Sequence, residues 1–179
     1  MFRFVLIIIC CLAASTYART NAEALRAIRT ITISRDVPTP RVVVLAETTP
    51  RKAPESRLGV PEALRSEFVR AIRKSGRFSV KENGPADAEL RLKVDVYGFD
   101  QGFFTSKVRP VLSVSAQLVT SGGVIAFKFR DAVTKENRET PEIPYREVRY
   151  TPEAGADAFK VAARLIADKF IDKIELEGR

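Results

Sequence analysis

The spacing of apolar residues predicts two amphipathic helices separated by a group of strands. The first helix is predicted over 61–75, because apolar residues recur there every three or four positions, Pro61 suits the first helical turn and Gly76 suits a left-handed C-cap. Its apolar stripe consists of Leu64, Phe68, Val69 and Ile72. Its charged residues are expected to face solvent or an anionic partner: Arg65, Glu67, Arg70 and Lys74.

A strict two-residue alternation predicts three antiparallel strands that follow one another as a meander, over 88–97, 111–120 and 125–130. The turn between the second and third strands is predicted at Gly122 and Gly123. The inward residues of the first and third strands are predicted to be Leu90, Leu92, Val94, Val96, Ile125, Phe127 and Phe129. The outward residues of the same strands are mostly charged: Glu89, Arg91, Lys93, Asp95, Lys128 and Arg130.

Shorter patterns predict a helix over 21–27, strands over 29–34, 41–45 and 77–81, and an edge strand over 145–150. The second long helix begins at a start signal formed by 151–153 and runs to about Glu175. Its apolar stripe consists of Phe159, Ala163, Ile166, Phe170 and Ile174. These elements predict an α+β fold: one mostly antiparallel or mixed sheet of about five to six strands, with both amphipathic helices packed on one face.

Residues 1–18 have the pattern of a secretory signal. Arg3 is the basic residue at its start, 4–12 are apolar, and small residues lead to Ala18, after which we place the cleavage, with Ser15 as the second choice. The apolar run is shorter than the roughly 20 residues that span a bilayer. We therefore expect a periplasmic protein in which 19–179 form a single domain, either soluble or associated with the outer membrane.

Cys10 and Cys11 allow two interpretations. Either they are apolar filler of the signal and are removed with it, or one of them carries a lipid anchor. A lipobox has a small residue before its cysteine, whereas Ile9 precedes Cys10 here. After cleavage at Ala18 the chain has no cysteine, so that its domain forms no disulfide.

The net charge of the chain is +8, and it becomes +7 without residues 1–18, whose one charged residue is Arg3. In a cytosolic protein this excess would suggest nucleic acid, but export argues against a nucleic-acid partner. An exported protein instead meets anionic lipids, cell-wall polymers and acidic envelope proteins. The alternative interpretation is that the charge only keeps the domain soluble.

The candidate chemistry is sparse. The chain has no histidine, which excludes a serine–histidine or cysteine–histidine nucleophile, and we find no motif for a metal or a cofactor. We therefore expect a protein that is not an enzyme and needs no cofactor. The alternative is a histidine-free cell-wall hydrolase that uses paired carboxylates, for example Asp95 with Asp131.

Two groups of residues are candidates for binding a partner. The segment 99–110 is predicted to be a loop in which aromatic residues lie beside cations, a combination suited to protein or lipid interfaces: Phe99, Phe103, Phe104, Lys107 and Arg109. The alternative is that Phe103 or Phe104 packs beneath the loop into the core. The second group is the charged outer face of the first meander strand, with Arg91 and Lys93. Exposed outer strands could also pair edge to edge in a homodimer.

The order of these elements resembles the small accessory proteins of the Gram-negative envelope, namely the lipopolysaccharide-assembly lipoprotein, the auxiliary lipoproteins of lipid-transport ABC systems and the activators of penicillin-binding proteins. The resemblance is specific over 68–97, where a helix ending in SGRF is followed by a strand that begins ADAEL. The matching residues are Ser75, Gly76, Arg77, Phe78, Val80, Ala86, Asp87, Leu90, Leu92, Val94 and Val96. It implies a non-catalytic adaptor that binds an envelope protein or anionic lipid, and it carries no active site.

Overall fold

A mixed β-sheet forms the centre of the molecule in the computed structural model, which describes residues 17–40, 59–101, 106–150 and 152–178. Six of its strands lie side by side in the order β1-β6-β5-β4-β2-β3, and β7 pairs with the beginning of β5. β2 runs parallel to β3 and β4, and the other pairs are antiparallel. The strands are β1 (Tyr17–Thr20), β2 (Thr30–Ile33), β3 (Ser79–Val80), β4 (Ala88–Gln101), β5 (Lys107–Thr120), β6 (Ile125–Val133) and β7 (Ile143–Pro144).

Two long helices cover one face of this sheet, which confirms the predicted α+β fold. α4 packs against β5 and β6, and α2 packs against α4 and β3. The predicted left-handed cap of α2 is present at Gly76, with φ 67°. The helices are α1 (Ala22–Ala27), α2 (Val60–Ser75), α3 (Tyr145–Tyr150) and α4 (Ala156–Glu177), and a 3-10 turn (Pro152–Gly155) precedes α4.

Aromatic rings join the helices to the inner face of the sheet. The ring of Phe170 on α4 lies with its centroid 5.2 Å from that of Phe68 on α2, and 5.6 and 5.5 Å from those of Phe127 and Phe129 on β6. All four side chains belong to one buried core. Because tilted and edge-to-face ring pairs are favourable, this cluster fixes both helices against the same side of the sheet.

Two β-bulges change which side chains face outward. In β4 the register shifts between Val94 and Val96, so Asp95 is an extra residue and Val96 lies on the outer face, 36% exposed. In β6 the extra residue is Ala126. Ile125, which is 37% exposed, therefore lies opposite Val119 on the outer face. The predictions that Val96 and Ile125 point inward are therefore wrong, because a bulge interrupts the two-residue alternation.

Three further predictions are corrected. The segment predicted as an edge strand is the helix α3, in which Tyr145 and Val148 pack against the core at helical spacing. The second long helix begins at Ala156 rather than at the start signal, whose Pro152 and Glu153 belong to the 3-10 turn. Glu67 is buried, since it lies between α2 and α4. The predicted signal up to residue 16 and the predicted strand over 41–45 lie outside the described residues.

Candidate functional site: a basic face of the sheet

Four cations converge on the outer face of the sheet, the face directed away from α2 and α4. Arg91 on β4 lies opposite Gln117 on β5, and Gln117 lies opposite Lys128 on β6. One row further along, Lys93 and Arg130 flank Ser115 in the same way. Rows two residues apart on one face are about 6.8 Å from each other. We call Arg91, Lys93, Lys128 and Arg130 the basic face.

Two carboxylates lie among these cations and organise part of them. Asp95 accepts a hydrogen bond from the Ser115 hydroxyl and lies 3.3 Å from Arg130 Nε and 3.5 Å from Lys93 Nζ. Glu89 accepts a hydrogen bond from Arg91 Nε at 2.7 Å. Two acids balance only two of the four cations, and Lys128 has no ion partner among the described residues. The basic face thus keeps a positive excess on both sides of an uncharged strip formed by Ser115 and Gln117 of β5.

Exposed aliphatic side chains border the basic face at both ends. Val96 lies at one end, and Ile125 lies at the other, where β6 begins. The bulges of β4 and β6 bring Val96 and Ile125 to this face. Cations bordered by exposed aliphatic groups suit a partner that presents negative charge next to apolar material.

The predicted loop over 99–110 is mostly strand, because β4 and β5 continue to pair as far as Gln101 and Val108. Phe99 is buried at 3% exposure, and its ring centroid lies 5.0 Å from that of Phe159 on α4. Phe99 is therefore a core residue whose ring is not available to a partner. Phe103 and Phe104 lie outside the described residues.

Lys107 and Arg109 lie at this end of the hairpin beside Glu142. Arg109 donates hydrogen bonds to the carbonyl oxygens of Asn137 and Thr140 and to the Glu142 carboxylate, the last at 2.9 Å. Hydrogen bonds from Lys107 and then Arg109 hold the pKa of Glu142 below its usual range. Arg109 thus holds the loop before β7 in place, while the side chain of Lys107 is largely exposed.

The carboxylates proposed as a catalytic pair do not meet. Asp95 lies on the outer face, whereas Asp131 is buried on the inner face, where it contacts Lys169 of α4 at 3.0 Å. Side chains on opposite faces of a sheet cannot act on one bond, so the hydrolase mechanism through this pair is wrong. No group of three or more potential metal ligands occurs within the described part of the chain.

The sequence pattern had placed Lys128 and Arg130 outward without assigning them a role. Their position beside Arg91 and Lys93 follows from the register that the hairpin at Gly123 sets between β5 and β6. An alternating strand predicts the face of a residue but not its neighbours across the sheet, since these depend on register. Counting the register of β5 and β6 from the glycine turn could have predicted that Lys128 and Arg130 lie on the same face as Arg91 and Lys93.

Solved structures show that the fold is shared with bacterial proteins. No family model matches the chain, and no curated protein matches it. The PelC dodecamer from Paraburkholderia phytofirmans is similar with a TM-score of 0.52 at 12% identity, covering 90% of this chain and 96% of that one. The protein XCC0632 of the family DUF330 from Xanthomonas campestris is similar with a TM-score of 0.54 at 16% identity, covering 92% and 94%. At these identities the similarity shows a common fold.

None of the described helices combines the length and the apolar character that crossing a bilayer demands.

Proposed function

We propose that this chain is an exported, non-catalytic accessory protein of the bacterial cell envelope that binds an anionic partner through its basic face. The observation that carries the proposal is the excess of cations in two neighbouring rows of an exposed sheet face. The secretory pattern of residues 1–18 and the net charge of +8 support it, and so does a fold shared with bacterial PelC and DUF330 proteins.

The partner that the surface favours is an anionic lipid bilayer. Exposed Val96 and Ile125 border the cations, and each basic residue close to an anionic membrane contributes about 1 kcal/mol. β1 pairs with β6 so that Tyr17 lies opposite Arg130 of the basic face. A lipid anchor on Cys10 or Cys11 would lie six or seven residues before β1.

Vesicle co-sedimentation of the purified protein tests this proposal. We expect binding to vesicles that contain phosphatidylglycerol, no binding to pure phosphatidylcholine, and a loss with added salt. The double variant Arg91→Glu with Lys128→Glu should bind at least tenfold more weakly, because it reverses one row of the basic face. The variant Lys160→Glu with Lys173→Glu on α4 makes the same change in net charge on the other side of the sheet and should bind like the unchanged protein.

The same variants identify an acidic protein as the partner instead. If the protein ignores anionic vesicles but crosslinks in the envelope to one protein, and Arg91→Glu with Lys128→Glu abolishes this crosslink, the basic face binds a protein and the bilayer proposal is wrong. If both double variants lose binding equally, net charge rather than the basic face is responsible, and the proposed site is wrong.

Export is tested by the intact mass of the native protein together with its fractionation. A chain that begins at Arg19 in the periplasm, or one acylated at Cys10 or Cys11 in the membrane fraction, supports the proposal. A cytoplasmic chain that retains residues 1–18 contradicts it.

We also propose that the chain self-associates through a sheet edge, since the similar PelC is a dodecamer and β3 is an edge strand. The N–H groups of Ser79 and Lys81 donate to the carbonyl oxygens of Arg29, just before β2, and of Ile31 in β2, so the N–H of Val80 points away from the sheet. Val80→Pro should leave the sheet intact and convert an oligomer into a monomer in light scattering. A monomeric unchanged protein would contradict self-association.

A further inference from the structure

A second surface feature lies away from the basic face, between α2 and the carboxyl ends of β2 and β3. It is an open groove of about 690 Å³, within the range of small-molecule sites. Its floor is aliphatic and is formed by Ile33, Val69 and Val80. The lining residues include no aromatic side chain on which a base or a sugar ring could stack.

Cations outnumber acids around this floor. Arg35, Arg65, Arg73 and Lys81 line the groove together with Glu62 and Glu82. Glu82 lies 3.7 Å from Arg73, Arg35 donates to the Asn83 amide oxygen, and Lys81 donates to the Pro85 carbonyl.

Arg65 differs from the other cations. Its Nε atom is buried and has no hydrogen-bond partner among the residues that the structure describes. A buried N–H group without an acceptor is costly, and such groups are normally paired in proteins. Arg65 also lies on the same stripe of α2 as Glu62, Val69 and Arg73, so its side chain borders both the charged rim and the aliphatic floor.

We propose that this groove binds an anionic amphiphile, with its phosphate or carboxylate head group on Arg65 and its acyl chain on the aliphatic floor. Guanidinium groups bind such head groups through paired, charge-assisted hydrogen bonds. A head group in the groove supplies the acceptor that Arg65 Nε lacks, and the chain covers Val69 and Val80. This site is independent of the basic face and goes beyond the proposed function.

Titration with dodecyl phosphate below its micelle concentration tests the proposal, with amide NMR shifts as the readout. We expect saturable shifts at Ile33, Val69 and Val80. Inorganic phosphate, which lacks the chain, and dodecyl maltoside, which lacks the charge, should each bind at least tenfold more weakly. Arg65→Met should weaken dodecyl phosphate binding at least tenfold, while Lys74→Ala, an exposed cation of α2 outside the groove, should change it less than twofold.

Arg65→Lys provides a second variant that keeps the charge, and it should retain more binding than Arg65→Met. Equal binding of dodecyl phosphate and inorganic phosphate would show that the acyl chain adds nothing, and would overturn the proposal that the ligand is an amphiphile. Shifts confined to the basic face, or an equal loss in Arg65→Met and Lys74→Ala, would overturn the groove as its site. Vesicle binding through the basic face is unaffected by any of these results, so the two proposals fail separately.

Discussion

At the scale of single residues, Asp87 joins the beginnings of two strands. Its Oδ2 accepts hydrogen bonds from the N–H groups of Arg29 at 2.9 Å and Thr30 at 2.8 Å and from the Thr30 hydroxyl at 3.0 Å. These hydrogen bonds hold the pKa of Asp87 below its usual value, and the bond from the Arg29 N–H has the largest effect. Asp87 therefore has a structural role, since it fixes the start of β4 beside β2.

Asp87→Asn should destabilise the domain in a pH-dependent way. A carboxylate whose pKa is lower in the folded state adds stability above its unfolded pKa of about 3.9, and loses it as the pH falls through the lower folded pKa. The unfolding free energies of the two proteins should thus differ most at neutral pH and converge below about pH 4. Urea unfolding at several pH values measures this, and a difference independent of pH would contradict it.

Gly155 is a second residue with a specific steric role. A Cβ atom placed there would lie 2.3 Å from the ring Cζ of Phe99, which packs beneath the 3-10 turn. Gly155→Ala should therefore destabilise the domain by about 1–3 kcal/mol, as overpacking does. Gly122→Ala is the control, because its Cβ would meet only Thr120 Oγ1 at 3.8 Å and should cost less than about 1 kcal/mol. Thermal unfolding of the two variants provides the comparison.

At the scale of elements, α2 and α4 are joined by charges as well as by rings. Buried Glu67 accepts a hydrogen bond from Arg70 Nε and lies 3.6 Å from Arg164 Nε on α4. The guanidinium of Arg70 also reaches Asp168 on α4 at 2.7 Å. The network therefore spans the interface between the two helices.

Glu67→Ala should destabilise the domain more than Asp168→Ala. Removing the buried carboxylate takes away the acceptor of Arg70 Nε and the ion partner of Arg164 at the helix interface, and because these cations are partly exposed we expect about 1–3 kcal/mol. Asp168 is 47% exposed, so its loss should cost less than about 1 kcal/mol. Chemical denaturation measures both, and equal losses would show that burial of Glu67 does not decide the effect.

The elements also show what local patterns can and cannot predict. Alternation predicted the three meander strands, and helical spacing predicted α2 and most of α4, because a buried face imposes its period on the residues that form it. The bulges at Asp95 and Ala126 were not predictable, since they depend on how two distant strands pair. The strand ends near Gly98 and Pro110 were missed for the same reason, because their partners across the hairpin keep them extended.

At the scale of the whole molecule, the candidate site was predicted in part. Arg91 and Lys93 were assigned to the outer face from alternation alone, but only the sheet register places Lys128 and Arg130 beside them. The hairpin residues turned out differently: Phe99 packs in the core and Arg109 holds a loop. Long-range packing decides which of several similar side chains remains at the surface, and a single sequence carries no record of it.

The architecture assigns different roles to the two sides of the sheet. α2 and α4 bury the inner face, and the outer face of β4–β6 carries the cations with exposed Ile125 at the start of β6. We propose that this outer face contacts an anionic bilayer.

The most direct test of this contact is a fluorescent reporter at Ile125, which is 37% exposed on the outer face. The chain contains no tryptophan, so Ile125→Trp introduces a single indole on this face. Leu176→Trp is the control, since Leu176 is 63% exposed on α4, away from the basic face. With phosphatidylglycerol vesicles, we predict a blue-shifted emission and quenching by brominated lipid for Ile125→Trp, and an unchanged spectrum for Leu176→Trp. An unchanged spectrum of vesicle-bound Ile125→Trp, or a shift in Leu176→Trp alone, would contradict bilayer contact through the basic face.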